Sequence, residues 1–521
     1  MNVLRSGRVR KATELHATGL RIKSTTLNVM GAALAAVSVG MVVGGVVELG
    51  TTNRDTGALF LSALITFVVG GVLFGSTQAG EVRAREVFAA VGWAWLTVTG
   101  FGSLPYVLGG TFDVAGIDTS GQIVNAIFES ASGYSATGST ALTDFSIPGR
   151  GTLMYRQITQ WYGGMGIVVL AVAVLPYLGV GGLDLLTAEA PGPVSERLTP
   201  RVKQTAKGLW STYAVFTLGV VVVLIIIPGP SVYDAIAHGF STVSTGGFSP
   251  HASSIGHFDS IAVEIAIIAA MVVCATNFTL HLRAKRGTRK AYRSDAEFRG
   301  YISILAVCSM LVVAILWLGG SLTVGESLRV GVFNVVSLAT STGFGNATGP
   351  GSAGDFALWL PAAQMILLCL FVVGGSTSST SGGIKVMRAQ VLLAHSIRVI
   401  RRSQRSRAVI PVKRGSVAVP EDVIRRMAGF FVVYALLVLS GVMVLTSLGG
   451  GLGESISAII GSLGNMGPGF GAAGPTANFS DAFTEPGRLV LAVYMLIGRL
   501  ELFPILLMFA APTRTVRARM M

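Results

Sequence analysis

Long apolar stretches alternate with short polar connectors along nearly the whole chain. Apolar segments at 28–50, 57–75, 86–109, 153–177, 207–228, 260–282, 300–318, 357–391, 420–447 and 486–512 are each long enough to cross a hydrocarbon layer of about 30 Å. Ten-residue stretches of period-two alternation are absent, so these segments predict helices and not barrel strands. The pattern therefore predicts an all-α polytopic membrane protein with ten spans, the eighth of them interrupted.

From residue 86 onward a larger unit repeats four times: a span, a short apolar stretch, a small-polar run, and a second span. The short stretches are Ile123–Ser132, Val232–Ser241, Ser327–Ser337 and Ser455–Gly461, each about one helix and too short to cross. The units predict pore repeats at 86–206, 207–299, 300–419 and 420–521, preceded by a segment 1–85 holding a basic N-terminus and two extra helices. Each unit crosses twice, so all four are parallel repeats about an axis along the membrane normal, where a pore can lie.

The small-polar runs carry the candidate chemistry. They read Ser135-Ala136-Thr137-Gly138, Val243-Ser244-Thr245-Gly246, Thr340-Ser341-Thr342-Gly343 and Gly464-Asn465-Met466-Gly467. With 67 glycines in the chain, any one such run reads as a flexible outer loop. Four in register predict a ring of loops that offers backbone oxygens to a cation, with glycine freeing φ so that carbonyls can turn inward. A short helix entering from outside also points its partly negative C-terminal end at the membrane centre, which favours a cation.

A second feature is the run Gly374, Gly375, Ser376, Thr377, Ser378, Ser379, Thr380, Ser381, Gly382 and Gly383, which contains no large apolar residue in the middle of an apolar span. That composition predicts a loop lining water, with a small-residue helix-packing face as the competing reading. Arg499 lies within the last span, where a charge must face a cavity or a partner. It acts either as a structural residue, paired with Glu501 or with nearby carbonyls, or as an electrostatic barrier below the loops. Glu129, on the first short helix, either strengthens the cation site or binds loop backbone.

Composition agrees with a membrane location: 51% of residues are hydrophobic, 12% are charged and the mean hydropathy is +0.67, against about 25% charged in soluble domains. The net charge of +14 could suggest nucleic acid, but Lys and Arg concentrate between alternate spans, as in Arg283–Arg293 and Arg398–Arg407. This is the positive-inside pattern, which places both termini in the cytoplasm. These basic stretches read first as membrane anchors and second as a docking surface for an acidic partner or lipid. The basic Met1–Lys23 segment precedes an apolar stretch longer than a signal-peptide core and predicts a retained first helix. Cys274, Cys308 and Cys369 have no metal or disulfide spacing, and the six histidines form no ligand cluster. Gly469–Gly474 matches a dinucleotide fingerprint but lacks a preceding strand. No set of residues resembles an enzyme's catalytic centre, and no cofactor is implied.

The stretches FESASGYSATGS (128–139), QWYGGMGIVVL (160–170), HGFSTVSTGGFS (238–249), NVVSLATSTGFGN (334–346), GGSTSSTSGGIKVMR (374–388), GNMGPGFG (464–471) and IGRLELFP (497–504) together resemble the Trk/Ktr/HKT family of potassium-uptake proteins, in its TrkH-like branch. The resemblance implies that each repeat gives one selectivity loop to a single K+ pore and that 374–383 is an intramembrane gate with Lys385 at its cytoplasmic end. It also implies that two subunits pair, that a TrkA-like cytosolic nucleotide-binding subunit regulates them, and that transport is channel-like or coupled to Na+ or H+. The chain departs from the family at Ser135-Ala136, where two threonines are usual, and at Ser378, where glycine is common. All four filter glycines are present, which favours K+ over Na+. Two other functions fit the four-loop plan: the ion-binding subunit of an ATP-driven pump, and a non-transporting membrane scaffold.

Overall fold

The computed structural model describes residues 15–17, 20–22, 24–51, 53–77, 84–173, 198–288, 290–404, 410–414 and 417–500. Helices dominate. They are α1 (Ser24–Glu48), α2 (Asn53–Ser76), α3 (Ala84–Gly102), α4 (Leu104–Gly109), α5 (Thr119–Tyr134), α6 (Arg150–Ala173), α7 (Leu198–Ile226), α8 (Val232–Val243), α9 (Ile261–Cys274) and α10 (Phe278–Lys285). The second half adds α11 (Ala291–Ser294), α12 (Ala296–Leu318), α13 (Val324–Ala339), α14 (Pro361–Val372), α15 (Val386–Gln404), α16 (Glu421–Ser447), α17 (Leu452–Gly464), α18 (Phe479–Ala482) and α19 (Glu485–Arg499). Two small antiparallel pairs, Leu15–Ala17 with Leu20–Ile22 and Lys413–Arg414 with Val417–Ala418, are the strands among the described residues.

The pattern predicts ten spans, the eighth interrupted, and several of the others are also not single straight apolar helices. Among the described residues, five helices are long and apolar enough to cross a membrane by themselves: Thr25–Glu48, Arg54–Ser76, Gln204–Ile226, Ala296–Leu318 and Glu421–Ser447. The segment expected at 260–282 is α9 and α10, bent by 91° at Ala275–Asn277. Thr276 and Asn277 break the apolar run there, and the Asn277 side chain caps α10 by accepting from Thr279 N at 2.9 Å. The segment at 86–109 breaks at Ser103 into α3 and α4. That at 357–391 is the twelve-residue α14, the small-residue loop, and α15. The helix α6 carries Arg156, Gln157 and Gln160, all buried inside the protein. The last expected span is described only to residue 500, so Glu501 lies outside the described residues.

Of the four short helices (α5, α8, α13, α17), the first three start at a side-chain cap. Asp118 accepts from Gly121 N, while Ser231 with Asp234 and Thr323 with Glu326 form complete capping boxes. Only α17 begins without a side-chain cap, at Gly451. The four short helices interlock in a cycle. α5 packs on α19, α8 on α6, α13 on α9 and α17 on α14, so each touches the second long helix of the preceding repeat. Repeats 1 and 4 share one apolar core, built around Phe128, Tyr155, Leu491 and Met495, and repeats 2 and 3 share another, built around Ile267, Phe333, Leu367 and Phe371. Large apolar side chains such as Leu218, Ile226, Met310 and Leu439 remain exposed, as expected where lipid is the solvent.

Candidate ion-conducting site

The four short helices end in the same turn. The residue after the C-terminal turn adopts a left-handed conformation: Ala136 (φ 51°), Thr245 (φ 53°), Ser341 (φ 55°) and Asn465 (φ 50°). Its N–H reaches back three residues and the next N–H reaches back five, as in Ala136→Gly133 with Thr137→Ser132 and Thr245→Thr242 with Gly246→Ser241. The same pairs recur as Ser341→Leu338 with Thr342→Ser337, and Asn465→Ser462 with Met466→Gly461. This repeated geometry fixes the register of the loops and corrects one of them. Counting from the left-handed residue, Gly138, Gly343 and Gly467 are equivalent to Gly247, not to Gly246. Val243 is the last residue of α8, and the second run is properly Ser244-Thr245-Gly246-Gly247. Two adjacent glycines made the register ambiguous in the sequence, and only the turn resolves it.

The four glycines meet in a closed ring. A Cβ placed on Gly138 would lie 2.2 Å from Gly246 O, one on Gly247 would lie 2.0 Å from Thr342 O, one on Gly343 would lie 2.8 Å from Gly467 N, and one on Gly467 would lie 2.9 Å from Gly138 O. Each glycine thus abuts the backbone of the next loop, in the order 1, 2, 3, 4 and back to 1. No side chain fits at these contacts, and the positive φ of Gly138, Gly247 and Gly343 (90°, 80° and 81°) adds a second demand for glycine at three of them. The loop hydroxyls pair with one another: Ser135 Oγ with Thr137 Oγ1 at 2.6 Å, and Thr340 Oγ1 with Thr342 Oγ1 at 2.8 Å. Side-chain donors hold two ring carbonyls, Gln160 Nε2 to Gly246 O at 2.7 Å and Ser139 Oγ to Gly467 O at 2.7 Å. Gln160 also accepts from Phe248 N at 3.0 Å, so its amide clamps both sides of loop 2. A cavity of about 130 Å³ opens over this ring, and Gly138, Gly247, Gly343 and Gly467 all line it.

The N-terminal ends of α5, α8 and α13 carry carboxylates held in their ionised form. Hydrogen bonds from Gly121 N and Ser120 lower the Asp118 carboxyl, and those from Thr323 lower that of Glu326. Burial alone would raise Asp234, but hydrogen bonds from His251 and Ser231 outweigh it and leave the carboxyl well below the usual range. Glu129, by contrast, does not face the ring. It is fully buried, pairs with Arg156 at 2.6 Å, and accepts from Ala141 N at 2.9 Å and Thr140 Oγ1 at 2.9 Å. Arg156 continues to Ser249 O at 3.1 Å, so the pair is a strut joining the segments that follow the ring glycines in loops 1 and 2.

Residues 374–383 form a loop and not a helix-packing face. The loop lies directly against the ring: Gly382 N donates to Ser341 Oγ at 2.6 Å, and a Cβ on Gly382 would lie 2.0 Å from Gly464 O. It is pinned from every side. The bend of repeat 2 holds it through Ser376 N→Ala275 O (2.9 Å), Phe278 N→Ser378 O (3.1 Å) and Thr380 Oγ1→Cys274 O (3.2 Å). Ser378 is left-handed (φ 57°), a conformation that glycine takes at lower cost. Lys385 is buried and donates to the loop's own Ser381 O, with Gly382 O at 3.4 Å. Arg499, also buried, donates to Thr380 O at 2.9 Å and to Gly163 O at 3.0 Å, bridging the loop to repeat 1. Glu297 is a further anchor. Buried at the start of α12, it accepts from Thr377 N at 2.6 Å, Thr377 Oγ1 at 2.9 Å and Met387 N at 3.3 Å. Its only sequence signal is an acid in the first turn of a helix, which ordinarily reads as a cap.

Residues 57–516 match the family model described as "TrkH: Cation transport protein". The chain belongs to this TrkH family. Its relatives include the "Trk system potassium uptake protein TrkH" of Halomonas elongata, 37% identical over 93% of this chain and 97% of that protein. The protein of the same name from Escherichia coli K12 is 33% identical over 92% and 97%. Among solved structures, the "Potassium Transporter TrkH from Vibrio parahaemolyticus" superposes with a TM-score of 0.82 at 32% identity, covering 93% of this chain and 97% of that one. The architecture is accordingly that of a polytopic cation transport protein with repeated helix–loop–helix units, and the chain is a TrkH-family transporter and not an enzyme.

Proposed function

We propose that this chain takes up K+ across a bacterial inner membrane through the ring of four loops, with 374–383 as its gate. The observation that carries this reading is the closed cycle of backbone contacts among Gly138, Gly247, Gly343 and Gly467. A cation entering the cavity above the ring sheds water only if fixed dipoles replace it. Here the C-terminal ends of α5, α8, α13 and α17 converge on the ring, each adding partial negative charge. Backbone oxygens do the coordinating, so Ala136 in place of a threonine leaves the site intact. The ionised Asp118, Asp234 and Glu326 at the outer helix ends raise the local cation concentration over about one Debye length, roughly 8–10 Å at physiological salt.

Below the ring, the pinned loop closes the path. Arg499 and Lys385 repel a cation there while they hold the loop, so opening requires their bonds to exchange partners. A cytosolic nucleotide-binding subunit docking on the basic inner face, and pairing of two copies of this chain, complete the reading, with both termini in the cytoplasm. Relatives named as potassium uptake proteins support K+ as the cargo. The test is K+-limited growth of a bacterium lacking its own uptake systems. The wild-type chain rescues growth and Gly138→Asp and Gly343→Asp do not. Rescue by both variants overturns the filter assignment.

A further inference from the structure

We propose that the groove between α7 and the bent pair α9–α10 is a binding site for one anionic phospholipid. Two cavities of about 520 and 410 Å³ share Val215, Phe216 and Val273 and so form one continuous channel along the protein surface. The second cavity runs on to Leu224 and Ala266, and its lining is almost wholly apolar. Val215 is 59% exposed and Val273 39%. The helix α7 is one of those apolar enough to cross a membrane. A surface groove at that depth has no water to fill it, so a hydrocarbon chain is its natural occupant.

The other end of the groove changes character. The first cavity ends at His281, Lys285 and Tyr292. His281 faces Val273 O at 3.0 Å with Nε2 and the Tyr292 hydroxyl at 2.8 Å with Nδ1. A carbonyl can only accept, so Nε2 carries the proton and Nδ1 accepts from Tyr292. The ring is thereby committed to bracing the bend. Lys285 is exposed at the end of α10, with Arg283, Arg286, Lys290 and Arg293 exposed in the same short stretch. An apolar channel that ends in clustered ammonium and guanidinium groups complements an acyl chain joined to a phosphate. Basic pockets at the cytoplasmic ends of membrane helices take anionic headgroups in this way.

The position gives the site a consequence. The groove wraps the outside of the bend whose inner side holds the gate through Ala275 O, Cys274 O and Phe278 N. A bound lipid therefore steadies the backbone to which the gate is tied.

The test reads lipid retention directly and needs no flux, so it stands or falls separately from the K+ reading. The full chain is purified from membranes, exchanged into detergent with equal phosphatidylglycerol and phosphatidylcholine, and examined by native mass spectrometry. Wild-type protein keeps phosphatidylglycerol in preference to phosphatidylcholine, and inorganic phosphate does not displace it. Lys285→Gln with Arg286→Gln weakens retention by roughly fivefold for each charge removed. Val273→Trp, which fills the groove, abolishes retention while the size-exclusion profile stays that of wild type. Equal retention of the two lipids, displacement by phosphate alone, or unchanged retention in both variants overturns the proposal. So does efficient disulfide formation between two Val215→Cys chains in membranes, which would show a second copy covering the groove.

Discussion

The glycine ring and the gate beneath it lie in contact, yet they are held by opposite means. Backbone against backbone makes the ring: four glycines, left-handed turns, and distances that leave no room for a Cβ. Long buried side chains make the gate, with Glu297, Lys385 and Arg499 binding loop atoms from three directions. Such a ring is preorganised, because moving any one loop drives it into its neighbour. The loop of 374–383, proposed as the gate, is tied by these side chains and by backbone bonds to Ala275 and Phe278, so its release is an exchange of bonds and not a clash of backbones. On the proposed reading, selection falls to the part that has no alternative arrangement, and control to the part that does.

Crowding the ring should do the most damage to transport. Gly247→Ala puts a methyl about where Thr342 O stands and forces a residue with a Cβ into φ 80°. Its expected effect is loss of 86Rb+ uptake to background in proteoliposomes. Gly246→Ala meets the Gln160 side chain instead and should leave measurable uptake. Equal loss in both would return the ring position to Gly246. Next in size is Glu297→Ala, which strands the N–H of Thr377 and costs about 1–3 kcal/mol for an unsatisfied buried donor. The expected reading is a several-fold leak of 86Rb+, together with a lower melting temperature in detergent.

Arg499→Gln should have a smaller effect of the same sign. Hydrogen bonds to charged groups are worth about 1.5–3 kcal/mol each, and glutamine keeps a neutral donor in place, so uptake should rise by less than in Glu297→Ala while the preference for K+ over Na+ is unchanged. A change in that preference would show that the gate and the ring are not separable. Smallest is the pH response of the outer loop of repeat 2. Burial and the neighbouring His251 lower the pKa of His257. Below the ordinary histidine value of about 6.5, the unfolded chain takes up a proton that the folded one refuses, so stability falls as the pH drops through this range. Asp234 is also depressed, and its contribution persists until the pH falls into the lower carboxylate range. Melting at pH 7.5 and 5.5 should therefore differ by about a degree or two, and His257→Gln should remove part of that difference.

Much of this arrangement was legible in the chain. Apolar length and the fourfold recurrence of a short helix before a small-polar run gave the repeats, and the absence of large side chains at 374–383 gave the loop. The rest was hidden for physical reasons. The residues that must be left-handed, Ala136, Thr245, Ser341 and Asn465, share no side-chain chemistry, so nothing marks the turn that sets the register. The 91° bend sits in a run whose mean apolarity is high, with only Thr276 and Asn277 to betray it. Arg156 and Glu129 look like isolated charges until the fold joins them. Hydropathy also gave no sign of which spans are bent or polar inside, because helices that face the protein interior need not be apolar on every side.

Ser139 bonded to Gly467, and Thr137 bonded to Asn465, each join partners separated by 328 positions. A ribosome delivers those partners at widely different moments. Until the final hairpin has been inserted, the hydroxyls of Ser139 and Thr137 in the opening hairpin lack these partners. On the proposed reading, the permeation path is complete only once synthesis has passed the fourth repeat.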